Sequence, residues 1–176
     1  MKTIFETKRL LVREMSDDDF DAIQQSVHYP DGSIREDAEV RRWIHWCQES
    51  YQKNGFGHGA VVLKATGEVI GSAGISLQPI DGKWLPEAGY HLRGDYHRQG
   101  LGKEVACAAR DYYFTHFDGD AVYSYMDEDN VASYKTAEAS GMTYQHLFTA
   151  RTGAVCRIYR ITRTEWLALT EGNPHP

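Results

Sequence analysis

LRGDYHRQGLGK, residues 92–103, decides how the rest of the chain is read. Residues 87–92 before it read as a strand, and Gly100-Leu101-Gly102 opens a helix. In that helix Leu101, Val105, Ala108, Ala109, Tyr112 and Tyr113 keep one face apolar, while Lys103, Glu104, Arg110 and Asp111 keep the other polar. A strand that passes through glycine-rich backbone into a helix gathers several main-chain N–H groups at one point. The positive end of the helix dipole acts at the same point. Such a junction suits a phosphate or pyrophosphate, although two spaced glycines also serve simply to turn a chain. The stretch is not a Walker loop, because GxxxxGK[ST] is absent. Nor is it a dinucleotide fingerprint, since the third glycine of GxGxxG is missing and the loop follows the fourth strand, not the first.

The elements around this stretch follow from periodicity and punctuation. Residues 10–13 read as a short strand. Ser16 and Asp19 have capping-box spacing, and Phe20, Ile23 and Val27 follow at helical intervals. Ser33 and Glu36 repeat the capping pattern ahead of the stripe Val40, Trp43, Ile44, Cys47 and Tyr51, which predicts a second helix to about Lys53. Residues 59–64 and 68–77 read as strands joined by the turn Ala65-Thr66-Gly67. Two prolines and Asp81-Gly82 predict a loop over 78–86. After the glycine-marked helix come a strand over 121–126 and a short helix opened by Asn130 and closed by Gly141. A final hairpin, 142–149 and 155–162, turns at Arg151-Thr152-Gly153.

Three consecutive strands with short connections must be antiparallel, whereas the two later strand–helix–strand crossovers predict parallel pairs. The expected fold is α+β in three layers: a mixed, mostly antiparallel sheet of about seven strands flanked by helices. One domain is expected over 1–169, with a frayed tail over 170–176.

Of 176 residues, 41% are hydrophobic and 25% charged, the balance of a globular domain. No apolar run has the length of a membrane span, and the first residues mix charges with apolar side chains, unlike a signal peptide. Three widely spaced cysteines, an odd number, point to a reducing compartment, with cytoplasm the default. A net charge of −6 argues against a nucleic-acid partner, which requires clustered Lys and Arg. It would steer a cationic substrate, although solubility alone also makes proteins acidic. Neither the histidines nor Asp127-Glu128-Asp129 show metal-ligand spacing, so no metal is expected.

Five further pieces lie in a fixed order: Thr7-Lys8-Arg9-Leu10 with Leu11-Val12-Arg13; Glu87-Ala88-Gly89-Tyr90; His97-Arg98-Gln99-Gly100-Leu101-Gly102; Asn130-Val131-Ala132-Ser133 followed by Gly141-Met142; and Arg163-Thr164-Glu165-Trp166. In this order the chain resembles, over nearly its whole length, the Gcn5-related N-acetyltransferase (GNAT) superfamily. Within it the chain looks closest to the RimJ/RimL-like branch of ribosomal-protein N-terminal acetyltransferases. There are departures. His97 stands where the motif has Gln or Arg, and Met142 replaces a usual Phe. Ala137 lies where many relatives have a tyrosine that protonates the coenzyme thiolate.

The resemblance implies acetyl-CoA as donor and a primary amine as acceptor, on a peptide N-terminus or a small molecule, by direct attack in a ternary complex. It assigns the pyrophosphate to Arg98, Gln99, Gly100, Leu101, Gly102 and Lys103. Asn130, also a helix N-cap, is assigned to the pantetheine arm, and an amide near His91 and Leu92 to the reacting carbonyl. An ammonium group titrates near ~10.4 and must lose a proton before attack. Glu87 is the expected base, acting through water, with Glu68 and Asp127 as lesser candidates; a merely solvated or Arg-paired carboxylate is the competing reading of Glu87. Ser133 is expected at the leaving thiolate, where a hydrogen bond would be its whole contribution. Tyr134 is the alternative donor, and a helix residue bonding its own backbone the plainer reading of Ser133. The acceptor site is expected from 28–35 and the last hairpin, with Trp46 and Tyr29 as lining residues. Relatives are often dimers, so a homodimer is admitted. The competing function is a non-catalytic acyl-CoA-binding module; Ala137 favours it, and Glu87 with Ser133 opposes it.

Overall fold

A computed structural model of the chain describes residues 1–28, 32–150 and 152–171. The elements are β1 (Thr3–Glu6), β2 (Leu10–Arg13), α1 (Phe20–Gln24), α2 (Asp37–Asn54), β3 (His58–Leu63), β4 (Glu68–Ile80), β5 (Lys83–Leu92), α3 (Leu101–His116), β6 (Ala121–Asp127), α4 (Val131–Ala139), β7 (Thr143–Thr149), β8 (Val155–Thr162) and α5 (Arg163–Glu171). The strands form one sheet in the order β1-β2-β3-β4-β5-β6-β8-β7. Only β5 and β6 run parallel among adjacent pairs.

Side-chain alternation divides the sheet into two faces. One carries Ile75, Ala88, Val122, Tyr159 and Ile161 against Ala109, Tyr113 and Phe114 of α3, and Leu101 and Val105 extend this contact toward β2. The other carries Ala60 against Val40, Ile44 and Cys47 of α2 and Ile23 of α1, with Trp43 alongside. The three layers expected from the sequence are present.

Several expectations are corrected. Among the described residues the sheet has eight strands, because residues 3–6 pair with β2 as an edge strand. Residues 78–86 are not a loop: β4 and β5 stay paired out to Ile80↔Lys83. Asp81 (φ 49) and Gly82 (φ 74) form the two-residue turn, both left-handed as a hairpin of the primed type requires. The prolines are tolerated because of where their missing N–H groups would point. Arg93 N–H donates to Ile70 O at 2.9 Å, so odd-numbered positions of β5 bond β4 and even-numbered ones face away. Pro86 and Pro79, opposite Leu77 and Trp84, therefore sit at positions that take no bond across the β4–β5 pair. Pro79 also lies beyond the end of β3, whose pairing with β4 starts at His58↔Gly74.

The second crossover does not give an adjacent parallel pair, because β8 lies between β6 and β7 and is antiparallel to both. The reason is burial: β8 brings Cys156, Ile158, Tyr159 and Ile161 to the core, whereas β7 exposes Tyr144 and Leu147 and takes the edge. Glu36, not Ser33, is the N-cap residue of α2. Half of the Ser16–Asp19 box is plain: Asp19 accepts the Ser16 N–H at 2.9 Å and is held bidentately by Arg13 at 2.7 and 2.8 Å. The expected tail begins inside α5, which includes Thr170 and Glu171; residues 172–176 lie outside the described residues. Among the described residues no helix is long and apolar enough to cross a membrane.

Candidate active site

β5 and β6 meet at a single paired position, Glu87↔Tyr123, and diverge beyond it. In an ordinary sheet the ladder would continue. Here the even-numbered residues Tyr90 and Leu92 direct main-chain groups into the gap, while the amide of His91 belongs to the β4 ladder. Of the two residues expected near the reacting carbonyl, Leu92 therefore has the available N–H. Both parallel strands lead into helices, β5 into α3 and β6 into α4, so the two helix N-termini lie at the same end of the gap.

The turn before α3 is wound tightly. Arg98 (φ 59) and Gly100 (φ 76) are left-handed, and Gly100 is the N-cap residue of α3. This winding aims successive amides at one point, and the first-turn amides of Leu101, Gly102 and Lys103 have no partner inside the helix. A Cβ on Gly102 would lie 3.1 Å from the Tyr90 ring, so glycine lets the helix start approach β5. The turn is braced from both sides: His97 Nε2 bonds Leu92 O at 2.8 Å, and Gln99 Nε2 donates to Asp95 O at 3.0 Å.

A brace that the sequence reading missed comes from the first residues of the chain. Arg9 Nη1 donates to Gln99 O at 2.9 Å and Arg9 Nε to Glu104 Oε2 at 2.6 Å. The Thr7 hydroxyl and Arg9 N–H donate to Glu104 Oε1 at 2.5 and 3.0 Å. Burial pushes the Glu104 carboxyl up, but these bonds outweigh it and hold it below its ordinary range. The signal was present in Thr7 and Arg9, which were read only as part of a strand motif.

Glu87 is 8% exposed, on the α2 side of the sheet. Burial pushes its carboxyl up to about 7, against the lowering effect of the Ser76 hydroxyl, which donates at 3.3 Å, and of a Tyr125 main-chain bond. It is thus balanced between acid and base near neutrality. His58, 5% exposed, stands beside it, and burial drives its imidazole down to about 3, so that it stays neutral. Trp43 from α2 packs edge-on to His58 and His91, at 5.7 and 6.1 Å between ring centroids. His91 is exposed along part of its surface, while burial of its ring pushes the imidazole down to about 4.

The lesser base candidates lie elsewhere. Glu68 is held by Arg93 (2.5 Å) and the Tyr96 hydroxyl (2.6 Å). It lies eight residues along β4 from Ser76, the partner of Glu87, or roughly 26 Å away. Asp127 ends β6 opposite Cys156, whose Sγ is 3.7 Å from its carboxylate.

At α4, Asn130 Oδ1 accepts the Ser133 N–H at 3.1 Å, the expected N-cap. Ser133 is half-buried in the first turn. Tyr134 packs against the core beneath Arg157, whose guanidinium carbon lies 5.1 Å from the ring centroid. Ala137 is 4% exposed among Tyr113, Met142 and Tyr159. Tyr29 lies outside the described residues. Trp46 is exposed and shares a groove with Ser50, Lys53, Leu77 and Trp84 beside the outer half of the β4–β5 hairpin. Asp81 at the hairpin tip bonds His146 Nε2 of β7 at 2.7 Å, and together they tie two hairpins across a shallow pocket. Trp84 and Asp81 escaped the sequence reading because they fell in a presumed loop.

Comparison with known proteins agrees with this geometry. The model of the acetyltransferase (GNAT) domain family matches residues 9–143, and the chain belongs to that family. It is an acetyl-CoA-dependent N-acetyltransferase. It is 28% identical over 151 residues to the uncharacterized protein YkkB of Bacillus subtilis (strain 168), covering 81% of this chain and 87% of that one. An acetyltransferase structure from Agrobacterium tumefaciens str. C58 is 26% identical with TM-score 0.77 over 92% of this chain and 94% of its own. RimL, a ribosomal L7/L12 alpha-N-protein acetyltransferase solved with coenzyme A, shares the fold at 17% identity, TM-score 0.71, over 92% and 98%. The residues present fit an acyl-CoA donor: unpartnered first-turn amides for its pyrophosphate, and an open strand gap leading back toward Glu87.

Proposed function

We propose that this enzyme acetylates a primary amine, on a peptide N-terminus or a small molecule, by direct attack in a ternary complex with Glu87 as the base. The observation that carries the reading is the Glu87 carboxylate, buried where β5 and β6 begin to part and held near neutrality. A group poised there can take a proton from an ammonium and release it again, which an ordinary solvated carboxylate does poorly. The residues of the turn, Arg98, Gln99, Gly100, Leu101, Gly102 and Lys103, hold the pyrophosphate by main-chain amides at the α3 N-terminus. The Leu92 N–H serves the thioester oxygen as negative charge develops there.

Ser133 donates a hydrogen bond to the departing sulfur. Tyr134 is placed second, because its ring is engaged with the core and Arg157. Asn130 reaches the pantetheine arm from its capping position. Residues 32–36 ahead of α2 and the Asp81–His146 pair bound the acceptor, and a net charge of −6 favours a cationic one.

Thiol release measured over a panel of peptide and small-molecule amines tests the class of acceptor. Acetylation of none of them, with acetyl-CoA bound, would overturn the reading. Ser133→Ala is expected to lower kcat about tenfold with an unchanged acetyl-CoA KM, a loss of about one hydrogen bond; an unchanged kcat removes the serine from the thiolate. Arg9→Ala is expected to weaken acetyl-CoA three- to tenfold by calorimetry, roughly 1 kcal/mol, although Arg9 itself is assigned no contact with the ligand.

A further inference from the structure

The α2 side of the sheet contains a small polar pit that the reaction as described does not use. Its floor is the cross-strand pair Gly74↔Gly89, with His58 opposite Gly74 on β3. Paired residues of an antiparallel ladder share a face, so Ser72↔His91 bounds the pit on one side and Ser76↔Glu87 on the other. Trp43 covers it from α2. Glu87 and His58 meet over bare Gly89: a Cβ built there would lie 3.0 Å from Glu87 Oε2 and 3.1 Å from His58 Cε1.

Two polar atoms around this floor are buried without a hydrogen-bond partner, His58 Nδ1 and Ser72 Oγ, in residues 5% and 0% exposed. One orphan is costly; two on diagonal positions of one face are a pair that one shared water would satisfy. The pit also has an outlet. His91 is the cross-strand partner of Ser72, its ring centroid is 6.5 Å from that of His58, and it is exposed to solvent.

We propose that His58 and Ser72 hold water over the Gly74–Gly89 floor, and that this water carries the proton taken up by Glu87 out past His91 to bulk solvent. The inference rests on Glu87 being the base. Each acetylation of an ammonium frees two N–H protons: one ends on the leaving thiolate, and the other goes to Glu87, which, being buried, cannot hand it directly to solvent. In the relay the Glu87 O–H bond breaks, the water gains that proton and gives up another, and the second passes to solvent beside His91, whose imidazole burial holds down at about 4 so that it does not retain the proton. No electrons move, and His58 stays neutral throughout. His58 and Ser72 are positioning residues. The other titratable groups around the pit are Cys47 from α2, Tyr125 from β6 and Arg35 ahead of α2.

The test uses His58→Phe, which keeps a ring and removes the orphan nitrogen, and Ser72→Ala, which removes a buried hydroxyl with little change of volume. Each is expected to lower kcat about tenfold with an unchanged acetyl-CoA KM. In each, the rate should climb with added imidazole buffer, whereas the wild type should not respond. Rates within twofold of wild type with no buffer response, in whichever variant keeps a cooperative melt, would overturn the relay. Glu87→Gln separates the two levels. If it keeps full activity, the base assignment falls. If it is inactive while His58→Phe and Ser72→Ala are normal, only the relay falls.

Discussion

Glu87→Gln is expected to reduce kcat by about 10²- to 10⁴-fold, the range of a positioned acid–base group. Acetyl-CoA affinity should stay nearly constant, since the coenzyme turn lies at the far end of β5. In the wild type kcat should rise with pH through about 7, where Glu87 ionises, and this limb should vanish from the residual rate of the variant. The same substitution should stabilise the fold. The unfolded carboxyl titrates near 4.5 and the native one near 7. Between these values the native state keeps a proton that the unfolded chain has lost, so wild-type stability declines as pH rises from 4.5 to 7 and remains lower above it. A neutral glutamine has no such dependence. At pH 8 the variant should therefore be more stable by up to about 3 kcal/mol, with the advantage disappearing below pH 4.5. Denaturant melts at the two pH values, beside steady-state rates, read both effects. A variant that loses activity without the pH-dependent gain would mean that Glu87 is not held near neutrality.

The second large effect is expected at Gly100. Its φ of 76 is left-handed, and it is the residue from which α3 starts. A β-branched side chain avoids this region at a cost of roughly 1–3 kcal/mol. In Gly100→Val the turn should relax toward right-handed backbone and swing the first-turn amides off their common point. Acetyl-CoA affinity by calorimetry should fall roughly 10- to 100-fold, with kcat at saturation far less affected. Gly32 is the control: it has φ 82, open space around it and no part in the turn, so Gly32→Val should leave coenzyme affinity unchanged. An unaltered affinity in Gly100→Val would remove the turn from the coenzyme site.

The layers, the long helices and the glycine turn were legible in the sequence because each has its own period or punctuation: the α2 stripe, the α3 stripe, Gly100 and Gly102. The β4–β5 hairpin was not. Pro79 and Pro86 argue against a strand unless the side of the ladder they face is known, and that depends on where β3 ends. The order of the last hairpin was equally hidden, because whether β7 or β8 sits inside is decided by which strand fills the core beside β6. At the site, Glu87 was legible from its motif, but its burial was not. His58 gave no local signal, since its role arises only when Gly74 and Gly89 are placed side by side. Arg9 and Thr7 were legible as a motif, while their grip on Glu104 spans 95 or more residues of chain.

That grip has a consequence for how the molecule matures. A nascent chain can wind the turn before α3 as soon as those residues emerge, yet the turn stays unbraced until the first hairpin has closed a loop of nearly a hundred residues onto it. Closing such a loop is slow and entropically opposed. Coenzyme should thus bind more tightly to chains that have completed this closure. Its binding would then act as a late checkpoint that draws finished molecules away from partly folded ones.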